Sequence, residues 1–143
     1  MKYDSNLFFT CSLIEFIGRG QKLRRGDVVN AMGDKALRRV YEYADVLHCE
    51  PIAKVGDEYV RLCGIPTGDF DNVARCKYAV PDYWDIGNVY QRLIQDVTDG
   101  DALETLKKIY GSWISDSISD YNSDFFYQPR EYIRECWLEG KVL

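Results

Sequence analysis

Between Leu7 and Ile17 the chain sets Leu7, Phe8, Phe9, Cys11, Leu13, Ile14, Phe16 and Ile17 among three polar positions, Thr10, Ser12 and Glu15. On a helix these residues cover almost the whole circumference, and a helix apolar on every side has to be enclosed by other elements. The run is about half the roughly 20 residues a bilayer crossing needs, and Glu15 and then Arg19 interrupt it. It therefore predicts a central core helix, about Asn6 to Gly18, stopped by Gly18 and Gly20.

The remaining segments repeat their apolar residues at three- and four-residue steps between turn residues, so helices are expected throughout. A short helix from Asp27 to Met32 has Asp27 as N-cap and Gly33 as terminator. Asp34 caps the next, whose stripe is Leu37, Val40, Tyr41, Ala44 and Leu47. Pro51 opens a fourth with Ile52, Val55, Tyr59 and Leu62 on its apolar face and Gly64 at its end. Pro66, Gly68 and Pro81 make residues 65–81 irregular, with a single turn capped by Asp69. Asp82 caps a long helix through Ile86, Val89, Tyr90, Leu93, Ile94 and Val97. Beyond Gly100 and Asp101 the same period runs from Leu103 to Tyr121 as one helix forming a hairpin with its predecessor. A last helix begins near Pro129, turns Tyr132, Ile133, Cys136 and Trp137 inward, and stops at Gly140. The reading is a single all-α domain over residues 1–143, a bundle of about seven helices.

A chain of 143 residues with 46% apolar and 14% aromatic residues is too hydrophobic for disorder and long enough to bury a core without disulfides or metal. Cys11, Cys49, Cys63, Cys76 and Cys136 are odd in number and 38, 14, 13 and 60 positions apart, which suits free thiols mostly on buried helix faces. With no signal-peptide pattern at the N-terminus, a cytoplasmic location without membrane association is expected.

Charge is polarised. Residues 1–44 carry a balance of +3 and residues 45–143 one of −8, for a net −5. Segment 27–43 has a helix-turn-helix outline with Gly33 in the turn, and Arg24, Arg25, Lys35, Arg38 and Arg39 are the candidate contacts to a protein partner or a nucleic acid. Tyr83 and Trp84 join them as aromatic residues of the kind that dominate interface energy.

Catalytic chemistry finds few materials. His48, the one histidine, is expected at a helix C-terminus, interacting with free carbonyls. Dispersed cysteines lack zinc-ligand spacing, and Gly18-Arg19-Gly20 lacks the third glycine and the preceding strand of a phosphate loop. Residues 120–131 offer oxygen ligands at calcium-loop spacing, but Phe125 stands where the loop needs a left-handed glycine. No enzyme activity, metal or cofactor is expected.

Three phrases occur together: Phe8-Phe9-Thr10-Cys11-Ser12-Leu13-Ile14-Glu15-Phe16-Ile17-Gly18-Arg19, Tyr43-Ala44-Asp45-Val46-Leu47-His48-Cys49 and Pro81-Asp82-Tyr83-Trp84-Asp85-Ile86-Gly87. As a set, the chain resembles a family of small uncharacterised bacterial proteins common in Firmicutes, associated with loci encoding an ADP-ribosyltransferase-like toxin and a short companion. The resemblance implies an antitoxin or accessory role in a toxin–antitoxin or phage-defence locus, exerted by binding a protein such as the neighbouring toxin. Two other expectations compete with it. One is a helix-turn-helix-like nucleic-acid-binding regulator, and the other is an acidic, anti-CRISPR-like mobile-element inhibitor that blocks a defence nuclease.

Overall fold

The computed structural model describes residues 2–143, and the described residues contain α-helices and one 3-10 turn but no strand. The helices are α1 (Ser5–Gln21), α2 (Arg25–Glu42), α3 (Ala44–Leu47), α4 (Ile52–Cys63), α5 (Asn72–Arg75), α6 (Tyr83–Val97), α7 (Ala102–Tyr110), α8 (Trp113–Ser119) and α9 (Arg130–Glu139), with the 3-10 turn at Phe125–Tyr127. The all-α bundle is as expected. Its central helix is α1, which packs against α2, α3, α4 and α6 and buries Leu7, Phe9, Cys11, Leu13, Ile14 and Ile17 in one core shared by the other helices. No helix among the described residues is long and apolar enough to cross a membrane.

α1 and α6 cross closely because Gly87 faces Ser12. A Cβ on Gly87 would lie 2.8 Å from the Ser12 backbone nitrogen, so only glycine permits this approach. Asp82 caps α6 as its sequence predicts, accepting the Trp84 N–H at 2.6 Å. Asp101 does the same for α7 through the Leu103 N–H at 3.1 Å. Gly64, at φ 61°, ends α4, and Gly140, at φ 76°, ends α9.

Several boundaries depart from the sequence reading. α1 runs through Gly18 and Gly20 and ends at Lys22, which adopts the left-handed conformation at φ 55°. Gly18 is a packing glycine, since a Cβ there would meet Arg25 Cδ at 2.3 Å. α2 begins at Arg25, so Asp27 lies in its first turn, not at its cap; Gly33 (φ 76°, ψ 171°) is non-helical and divides α2 at a kink into two helical stretches, the break expected of it. Asp34 does not cap; its carboxylate accepts from Arg38 and Lys107. The long helix expected from Leu103 to Tyr121 is two, α7 and α8, because Ser112 restarts it by accepting the Ile114 N–H at 3.3 Å. Asp71, not Asp69, caps the single turn α5 by accepting the Ala74 N–H. Leu62 belongs to no core face and is 71% exposed.

Residues 64–82 are irregular, as expected, and are strapped to α1 and its C-terminal turn. Gln21 Nε2 donates to the Ile65 carbonyl at 3.0 Å, the Gly68 N–H to the Gln21 carbonyl at 2.8 Å, and the Phe70 N–H to the Lys22 carbonyl at 2.9 Å. Farther along, Arg19 Nη2 donates to the Pro81 carbonyl at 2.7 Å.

Candidate interaction surface

The five basic candidates do not form one surface. Arg25 is buried, with its Nε 2.9 Å from Glu15 Oε1 and its Nη2 3.0 Å from both Glu15 Oε2 and Asn72 Oδ1. Glu15 also accepts from Arg19 Nε at 2.8 Å and from the Tyr121 hydroxyl. Burial pushes the Glu15 carboxyl up, but the guanidiniums of Arg25 and Arg19 and the Tyr121 hydroxyl outweigh it and hold it below the usual carboxylate range. Burial and the neighbouring Glu15 charge push the Tyr121 phenol up to about 12. Nothing in a periodicity argument distinguishes this inward-facing Arg25 from its exposed neighbour Arg24; their different placement corrects the expectation that both are contact residues.

The others are at the surface but largely engaged. Arg24 pairs with Asp116 at 3.0 Å and lies over the Phe70 ring at 4.6 Å. Arg38 reaches Asp34 on its own helix at 2.9 Å and Glu104 on α7 at 3.3 Å, besides pairing with Asp101. Lys35 and Arg39 are exposed, with Arg39 5.7 Å from the Tyr43 ring centroid. Acids from outside the first 44 residues, Asp101, Glu104 and Asp116, thus meet part of that segment's basic excess, while Lys35 and Arg39 enter no ion pair of the described residues.

The aromatic candidates end up on the opposite kind of surface. Tyr83 and Trp84 enter the first turn of α6, where Tyr83 sets its ring edge-on to Phe16 at 5.2 Å and Trp84 lies 5.6 Å from Phe8. Tyr3 continues this row 6.2 Å beyond Phe8. Beside Trp84 opens an apolar cleft of about 480 Å³ lined by Ser5, Asn6, Phe8, Phe9, Ala44, Asp45, His48 and Trp84. Its volume falls in the roughly 300–1,000 Å³ range of ligand pockets. His48 Nδ1 lies 3.0 Å from the Ala44 carbonyl oxygen, which already accepts the His48 backbone N–H and so is not a free carbonyl; the ring sits at the end of α3 on the cleft's edge.

Of this lining, only Trp84 is among the contact residues expected from the sequence. Phe8 and Phe9 belong to the apolar run of α1, and nothing in its spacing marks them as lining an opening. Residues 120–131 make turns rather than a ligand cage. Asp120 Oδ1 accepts the Asn122 N–H at 3.1 Å, Asn122 is held by the Lys77 N–H and the Arg75 carbonyl, and Phe125 opens the 3-10 turn. Among the described residues no group of three or more His, Cys, Asp or Glu side chains is placed to hold a metal ion. All five cysteines are free, and Cys49, unlike buried Cys11 and Cys136, is exposed. Comparison with known protein families, characterised proteins and solved structures finds no match.

Proposed function

We propose that this protein is a non-enzymatic protein-binding module whose contact surface is centred on the Phe8–Trp84 cleft. The observation that carries the reading is the cleft itself, an apolar depression lined by Phe8, Phe9 and Trp84 beside α3, whose Asp45 and Val46 are exposed. Trp is prominent among residues that supply interface energy when a partner removes them from water. The family resemblance gives the partner's class: a toxin of the same locus, which this protein restrains or assists. Free cysteines support placing that association in a reducing cytoplasm. The nucleic-acid reading draws less support, because burial of Arg25 and the ion pairs of Arg24 and Arg38 leave Lys35 and Arg39 as its main free contacts.

The test is affinity capture of the tagged protein from its native host, with and without nuclease, alongside a Trp84→Ala variant whose thermal melting matches the parent. One stoichiometric protein that survives nuclease and is lost with Trp84→Ala is expected. Nuclease-sensitive capture, or a partner equally retained by the variant, overturns the reading.

A further inference from the structure

Resting on the protein-binding reading above, we infer that the cleft between α1, α3 and the first turn of α6 receives a partner segment in which a large apolar side chain sits beside a lysine or arginine. The apolar group packs on Phe8 and Trp84, and the cation meets Asp45.

The charges around the cleft select this chemistry. Its lining includes one carboxylate, Asp45, and no Lys or Arg. Asp45 is exposed and lies outside every ion pair of the described residues. Asp82 and Asp85, both exposed, flank the Tyr83–Trp84 pair in the sequence but do not line the cleft; Asp82 is occupied by the Trp84 N–H at 2.6 Å, so Asp45 is the one carboxylate that faces an occupant. Asp4, just before α1, is already occupied, accepting from the Leu7 N–H at 3.0 Å and the Tyr41 hydroxyl at 2.7 Å. Of the basic residues nearby in sequence, Arg39 lies over the Tyr43 ring, Lys54 pairs with Glu50 at 3.0 Å, and neither they nor Lys2 line the cleft. An incoming carboxylate finds no cation there, whereas an incoming Lys or Arg finds an unpaired acid and an apolar wall for its methylene stem.

The probe is a display library of random 16-residue peptides selected on the immobilised full chain, with Trp84→Ala protein as the counter-selection. Selected peptides are expected to carry Lys or Arg within four positions of a Trp, Phe or Leu. Their affinity should fall at least fivefold on Asp45→Lys, an exposed substitution whose melting temperature checks folding, and should recover when the basic residue is changed to Glu. Trp84-dependent peptides with no basic bias, or with unchanged affinity for Asp45→Lys, overturn this inference and leave the protein-binding reading standing. A selection that yields no Trp84-dependent peptide overturns the cleft as a docking site, and both readings with it.

Discussion

Arg25 and Glu15 meet side by side inside the protein, Nε to Oε1 at 2.9 Å and Nη2 to Oε2 at 3.0 Å, with 0% and 1% of their side chains exposed. The pair closes the turn between α1 and α2. Its remaining hydrogen-bonding capacity is used as well: Arg25 Nη1 donates to the Leu23 carbonyl at 2.6 Å, and Asn72, which accepts from Nη2, passes the chain of contacts to the Ser119 carbonyl at 2.9 Å. Residues 15–25, Asn72 and residues 119–121 are therefore tied to one buried carboxylate, and a buried network of this kind stabilises only while every member is satisfied.

Replacing Glu15 with Gln keeps the shape and removes the charge, leaving the Arg25 cation buried without its counter-ion. The expected loss is about 3–5 kcal/mol in urea unfolding, the range for breaking a buried pair from one side. Substituting both partners together, Glu15→Leu with Arg25→Met, should recover part of that loss, because no fully buried charge remains, while Arg19 and Tyr121 lose Glu15 and Asn72 loses its donor.

The acid limb of stability should bear the signature of the same group. Glu15 titrates below its ordinary value in the folded protein, so its contribution is complete above the unfolded carboxyl value of about 4.3 and disappears as pH falls toward the folded value. Urea midpoints should be flat from about pH 7 to 5, decline below about pH 4.3, and decline less steeply in Glu15→Gln. Asp34, held low by hydrogen bonds from Lys107 and Arg38, and Asp101, held low by Arg38, add to this slope in the same direction. Both are exposed and screened by salt, so the slope that persists at about 0.5 M salt belongs to Glu15.

Two glycines of α1 should respond oppositely to alanine. Both gain helix propensity, by up to about 1 kcal/mol. At Gly20 nothing lies within 4 Å of the new Cβ, so Gly20→Ala should stabilise. At Gly18 the Cβ would lie 2.3 Å from Arg25 Cδ, a side chain pinned by the Glu15 network, and Gly18→Ala should destabilise by roughly 2 kcal/mol or more. Thermal melts of the two variants should shift in opposite directions.

On α4, Leu62 and Val55 share the apolar spacing but not the burial, at 71% and 1% exposure. Leu62→Ser should change unfolding free energy by no more than about 0.5 kcal/mol, while Val55→Ala should cost roughly 2 kcal/mol from lost burial and the cavity left behind. Denaturant midpoints of the pair decide it.

The local grammar of this protein was legible in the chain. The apolar run from Leu7 to Ile17 predicted the central helix, and Asp82, Asp101, Pro51, Gly64 and Gly140 predicted where others begin and end, because caps and breakers act on their own neighbours. What tertiary structure decided were the uses of residues whose type permits two roles. Gly18 has the composition of a helix stop and serves as a bed for Arg25, whereas Gly33 does break the helix, at the kink of α2. Leu62 keeps the period of a core residue, but helix spacing specifies a direction and not whether another element lies there. Arg24 and Arg25 are adjacent and chemically identical, and only the position of Glu15, ten residues away in the chain, sends one inward while the other stays in water. The cleft beside Trp84 belongs to the same class, since an opening between helices is a property of their packing and no single segment encodes it.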